Sequence, residues 1–293
     1  MRLSLLLSFL LACHPALAEE AGSDGKAGCL ENPKLVSRLL ITEPGIYENF
    51  LVDGKWEAGN RVKITAANVT LRNCEIRNAT GNGIAIFADN VTIENCRIHH
   101  LLAGTFKDQK DAHGITGRWG KTIIRNCEIH HTSGDSVQFD PDRGSTGKAI
   151  IERCTFWTGP LPEDAAGFRK GETPGENAMD TKVPPDAKDR CVLVIRDSLF
   201  HGWRQPGQIG LLAALNLKEH ISATVTGCVF RGNQVALRLR GPGEHGGALV
   251  TISGCSIDDG DTGIRIEDKL EGLRTDKIIF GKNLVREYHR PGG

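Results

Sequence analysis

Apolar and polar positions alternate along this chain in short runs, and the runs recur. Segments VTLRNCEI (69–76), VTIENCRI (91–98), TIIRNCEI (122–129), AIIERCTF (149–156), ATVTGCVF (223–230) and VTISGCSI (250–257) are copies of one pattern. VLVIRDSLF (192–200) is a seventh copy, with Ser198 at the cysteine position. Each predicts a short strand, a polar turn and a second short strand, because a period of two places alternate side chains on opposite faces. A further strand follows each copy: GIAIF (83–87), GITGR (114–118), SVQFD (136–140), AMDTK (178–182), ALNLK (214–218), ALRLR (236–240) and GIRIE (263–267). Their starts are 31, 22, 42, 36, 22 and 27 residues apart. A unit near 22 with insertions predicts coils of short strands stacked into a β-solenoid, since no single coil can bury its own apolar face.

Six of the nine cysteines, Cys74, Cys96, Cys127, Cys154, Cys228 and Cys255, share one repeat position. Periodic placement predicts an inward ladder of packed thiols, although neighbouring rungs at about 4.8 Å also permit an occasional disulfide. Cys29 and Cys191 fall outside this ladder.

Parallel, in-register strands allow the sequence to be read in columns. The first outward column of the GIxIx strands is Ala85, Thr116, Gln138, Asp180, Asn216, Arg238 and Arg265. A second is Phe87, Arg118, Asp140, Lys182, Lys218, Arg240 and Glu267. A third row, just before the strands, is Asn82, His113, Asp135, Asn177, Ala213, Val235 and Thr262. The middle coils thus gather acids and bases from distant parts of the chain. The alternative is a solvated, charge-paired sheet, an ordinary surface feature. Insertions at Leu101–Asp111 and Trp157–Asn177 precede strands of this face, and Gln205-Pro206-Gly207 lies in another loop, so loops are placed to wall a groove.

Composition adds less. Lys plus Arg and Asp plus Glu both number 36, so net charge makes no case for a nucleic-acid partner. The start, MRLSLLLSFLLACHPALAEE, reads as a signal peptide over 1–18, with lipidation at Cys13 the competing reading. The expectation is a secreted or periplasmic monomer without a membrane span. It has a linker and cap over 19–39, a β-helix over 40–285 and a tail over 286–293.

The Asn-Val-Thr-Leu-Arg-Asn-Cys-Glu-Ile rungs and Gly-Ile-x-Ile strands resemble the right-handed parallel β-helix proteins of the pectate-lyase-like superfamily, from about Leu40 to Val285. The resemblance implies an all-β, single-stranded, right-handed coil with loops at its corners, and activity on an acidic polysaccharide. It implies a lyase scheme in which Lys182, beside Asp180, removes a proton next to a uronate carboxylate. Asp135, Asp140, Asp180 and Glu176 would hold calcium. His113, Arg118, Gln138, Asn216, Lys218, Arg238 and Arg240 would bind substrate. Glycoside hydrolysis, uronate epimerisation and carbohydrate binding without catalysis remain alternatives on the same fold. The pairs His99-His100 and His130-His131 occupy matching repeat positions, open to either corner packing or transition-metal ligation.

Overall fold

The computed structural model describes residues 22–140, 142, 144–184, 186–204, 212–241 and 246–291; the expected signal peptide, Cys13 and 205–211 lie outside these residues. Three parallel sheets of ten, ten and nine strands make up the coil. In a typical turn the chain passes through Glu128–Thr132 in the first sheet, Val137–Phe139 in the second and Lys148–Glu152 in the third. The next coil then begins at Thr155–Trp157.

The repeat explains the corners. The residue before each cysteine joins the third sheet to the next strand of the first, and it always has positive φ: Asn73 (51°), Asn95 (53°), Asn126 (52°), Arg153 (50°), Asp197 (51°), Gly227 (63°) and Gly254 (59°). Asparagine is suited to this left-handed bend, where other L-residues are crowded. The side chains also pair between coils. Asn95 donates to Asn73 Oδ1 at 3.1 Å, and Asn126 donates to Asn95 Oδ1 at 3.2 Å.

The cysteines directly after these corners are buried and unbridged. Each thiol bonds to the carbonyl two residues back, as Cys127 does to Arg125 at 3.2 Å. Ser198 does the same in its own copy, donating to the Arg196 carbonyl at 2.9 Å. Behind them runs one continuous apolar core, with Phe156, Phe200 and Phe230 stacked ring on ring.

The coil extends slightly beyond the expected bounds, from Lys34–Val36 to Tyr288–His289. Residues 22–30 do not cover the end of the solenoid. They run down the corner ladder, with Gly22 donating to the Asp197 carbonyl, Gly28 to that of Asn95 and Leu30 to Asn49 Oδ1. Leu35, Leu40 and Ile46 on the first coil stay exposed among the described residues.

The two insertions pack on each other. Residues Ala103–Thr105 and Asp108–Lys110 form a small hairpin. Leu102, Leu161 and Phe168 form a second apolar cluster with Trp56, Phe106, Ala165 and Ala166 against it. Gly175 donates to Gln109 Oε1 at 3.1 Å, tying the end of one insertion to the other. A separate small core of this kind fixes the loops beside the second sheet, where the charged columns lie.

Candidate functional site

Register decides which side chains meet. Thr116 pairs with Ala85 and Gln138, Gln138 with Asp180, Asp180 with Asn216, Asn216 with Arg238, and Arg238 with Arg265. This is the first outward column read from the sequence.

Beside it, in the row that precedes the strands, Asp135 is completely buried at the lip of strand Val137–Phe139. Its Oδ1 accepts from Asn177 Nδ2 at 2.8 Å and its Oδ2 from Gln138 Nε2 at 3.0 Å. The Asp135 backbone N–H donates to His113 Nδ1 at 2.9 Å, which assigns the proton of a neutral His113 to Nε2. That Nε2 lies 3.8 Å from the carboxylate of Asp111. One coil along, Asp180 accepts from Asn216 Nδ2 at 2.9 Å and faces Lys218 Nζ at 2.9 Å. Asp180 is buried in that ion pair and Lys218 is partly buried.

The electrostatics follow from this crowding. Burial and then the charge of Asp180 push the Asp135 carboxyl up to about 7, against the opposing pull of the Asn177 and Gln138 hydrogen bonds. Burial, followed by Asp135, Asp180 and Asp111, pushes Glu176 up to about 8. Burial lowers His113, opposed by Asp111 and Glu176 and reinforced by the positive charge of Lys182. Asp135, Glu176, Asp180, His113, Lys182 and Lys218 therefore act on one another across a single face.

Other expected residues lie elsewhere. Arg238 and Arg240 turn to Glu267, at 2.9 and 3.8 Å, where Arg265 also binds at 2.6 Å. Arg118 pairs with Asp89 towards the third sheet. Asp140 accepts the Asp142 backbone N–H at 3.1 Å in the following loop. Two members of the cluster were not singled out from the sequence. Asn177 was visible in the row of Asp135, but its role as a hydrogen-bond donor needed the rotamer. Asp111 comes from an insertion with no repeat to place it.

Calcium needs six to eight oxygen ligands. The orphaned, buried Oδ1 of Asn216 would suit a cation. Yet both oxygens of Asp135 already accept amide N–H groups, and those of Asp180 face an amide and an ammonium. Lys218 stands where a cation would neutralise Asp180. The donors as arranged do not fit a calcium shell and suit proton exchange better.

The sequence profile described as "Right handed beta helix region" matches residues 58–164. The coil is a right-handed parallel β-helix. Among solved structures, this β-helix is similar to that of pectate lyase Pel9A, with a TM-score of 0.54 at 12% identity over 88% of this chain and 68% of the other. The catalytic domain of a GH87 α-1,3-glucanase in complex with nigerose matches at a TM-score of 0.45 and 11% identity, over 89% of this chain and 59% of that one. No curated protein matches the sequence significantly. At these identities the likeness is one of fold.

Proposed function

We propose that this β-helix cleaves an acidic, uronate-containing polysaccharide by β-elimination on the outer face of the second sheet. The observation that carries the reading is the gathering of Lys182 and Lys218 with the carboxyl groups of Asp135, Glu176 and Asp180 beside two packed loops.

An acidic cluster would ordinarily repel a uronate. Here Asp135 and Glu176 hold their protons to about pH 7 and 8. Held neutral, the two acids add no negative charge to this face, and Lys218 supplies positive charge to the sugar carboxylate. Neutralising that carboxylate acidifies the proton at C5. Lys182 Nζ takes this proton, and the C5–H electrons form the C4=C5 double bond. The C4–O4 bond breaks, and the departing oxygen takes the Glu176 proton. His113, with its proton on Nε2, contacts the sugar as a donor. Asn177, Gln138 and Asn216 hold the two aspartates in place.

A second reading, glycoside hydrolysis, is favoured by the proximity of two protonated carboxyl groups to the Lys218-bound Asp180, an acid beside a candidate base. The products separate the two. Elimination yields an unsaturated uronate absorbing in the near ultraviolet, whereas hydrolysis yields new reducing ends without that absorbance. The purified protein is incubated with pectate, alginate and glycosaminoglycans. Absorbing product from one of them supports elimination. Reducing ends alone overturn it in favour of hydrolysis, and binding without cleavage overturns both.

A further inference from the structure

On the first sheet, four histidines meet in a cluster that the proposed cleavage does not use. His99 and His130 are in register, and their rings stack at 4.8 Å with parallel planes. Trp157 stacks on His130 at 4.2 Å, and His201 follows it at 6.0 Å. Beside this column His100 and His131 each take the left-handed conformation, with φ of 53° and 50°. The preceding coil uses Asn78 for the same bend, at φ 55°.

The hydrogen bonds assign the ring protons. His131 Nε2 donates to the Gly159 carbonyl at 3.1 Å, leaving its Nδ1 lone pair bare. His130 Nδ1 lies 2.7 Å from that atom, so His130 donates through Nδ1 and keeps Nε2 bare. In the neighbouring coil His99 Nε2 faces the Glu75 carboxylate at 3.4 Å, and His99 Nδ1 lies 2.6 Å from His100 Nδ1. An imidazole held by a carbonyl or carboxylate on one nitrogen, with the other aimed inward, is the arrangement metal-binding histidines use. His100, His130 and His131 each offer a ring nitrogen within 4.8 Å of the others. Ligands at about 2.1 Å in a tetrahedron stand about 3.4 Å apart, so small side-chain rotations close the site.

We infer that His100, His130 and His131 bind a divalent first-row transition metal of the zinc and copper class. Neutral imidazoles without carboxylates select such ions over calcium or magnesium. Binding at His130 and His100 through Nδ1 requires their ring protons to move to Nε2, which places no charge on the rings. Trp157, stacked across His130, shields one side of the site.

The test uses the mature protein, stripped with a chelator, and then Co²⁺ and Zn²⁺ as probes. One Co²⁺ per chain with visible bands of tetrahedral intensity, displaced by Zn²⁺ and accompanied by a rise in Tm, is expected. His100→Ala and His131→Ala should each weaken Zn²⁺ binding at least tenfold, while Asp135→Asn on the second sheet leaves it unchanged. Failure to retain either metal after gel filtration overturns the inference, as does unchanged affinity in both histidine variants. His131 is buried and its variant could misfold. His100 is partly exposed, so His100→Ala with wild-type circular dichroism decides the matter by itself.

Discussion

Lys218 Nζ lies 2.9 Å from Asp180 Oδ2, joining two residues 38 positions apart in a pair whose side chains are only 15% and 5% exposed. Such a pair offsets its desolvation only while both members are present. Lys218→Met should therefore destabilise the protein by about 3–5 kcal/mol, because it leaves Asp180 buried without its partner. Adding Asp180→Asn should recover most of that loss. Denaturant titrations of the two single variants and the double variant measure the coupling; additive losses would show that the pair is not an energetic unit.

The Lys182 backbone carbonyl accepts a hydrogen bond from Trp119 Nε1 at 2.8 Å. Its side chain can be truncated without removing that contact. Lys182→Ala should lower the rate of unsaturated product formation about 10²–10⁴-fold, the usual worth of a general base, with Tm nearly unchanged. A rate close to wild type would remove Lys182 from the mechanism.

The raised carboxyl groups predict an unusual pH response. Folded Asp135 and Glu176 hold protons to about pH 7 and 8 that the unfolded chain releases near 3.8 and 4.5. Their contribution to stability is fully present below about pH 4 and is lost as pH rises through 7 to 8. Wild-type Tm should fall relative to Asp135→Asn between pH 5 and 8. Product formation should also decline above pH 8, as Glu176 loses the proton it supplies. Parallel Tm curves for the two proteins would contradict the assignment to Asp135.

Calcium gives a separate check. With the Asp135 and Asp180 oxygens engaged by N–H groups, calcium added to chelator-treated protein should leave the initial rate unchanged. A rate that depends on calcium would show that the cluster rearranges around the ion.

Asn95 tests the corner ladder. It holds φ at 53° and bonds to asparagines in the coils on either side. Asn95→Ala loses both hydrogen bonds and adds left-handed strain, together about 2–4 kcal/mol. Asn95→Gly loses the bonds without the strain and should cost about 1–2 kcal/mol less than alanine. Equal losses in thermal or denaturant unfolding would place the effect wholly in the hydrogen bonds.

The Asn-Cys repeat carries local information that survives folding. An apolar residue at every second position must face the core, and the residue before each repeat cysteine, most often asparagine or glycine, takes the bend that other residues resist. Those two rules were enough to place Gln138 beside Asp180 and Asp180 beside Asn216, from segments separated by long insertions. They could not say that Arg238 and Arg240 would turn to Glu267, since an outward Arg has several partners within reach of its flexible side chain.

Gly175 to Val183 shows where the division falls. Its alternation put Asp180 and Lys182 on the outer face, because a strand's period of two is a property of the backbone. The tertiary structure decided that Asp180 pairs with Lys218, and that Lys182 acts on His113. Rotamers, burial and the packing of two insertions made those choices, and none of them repeats along the chain. The fold was therefore determined by a periodic sequence, while the chemistry of the site depends on contacts that have no period.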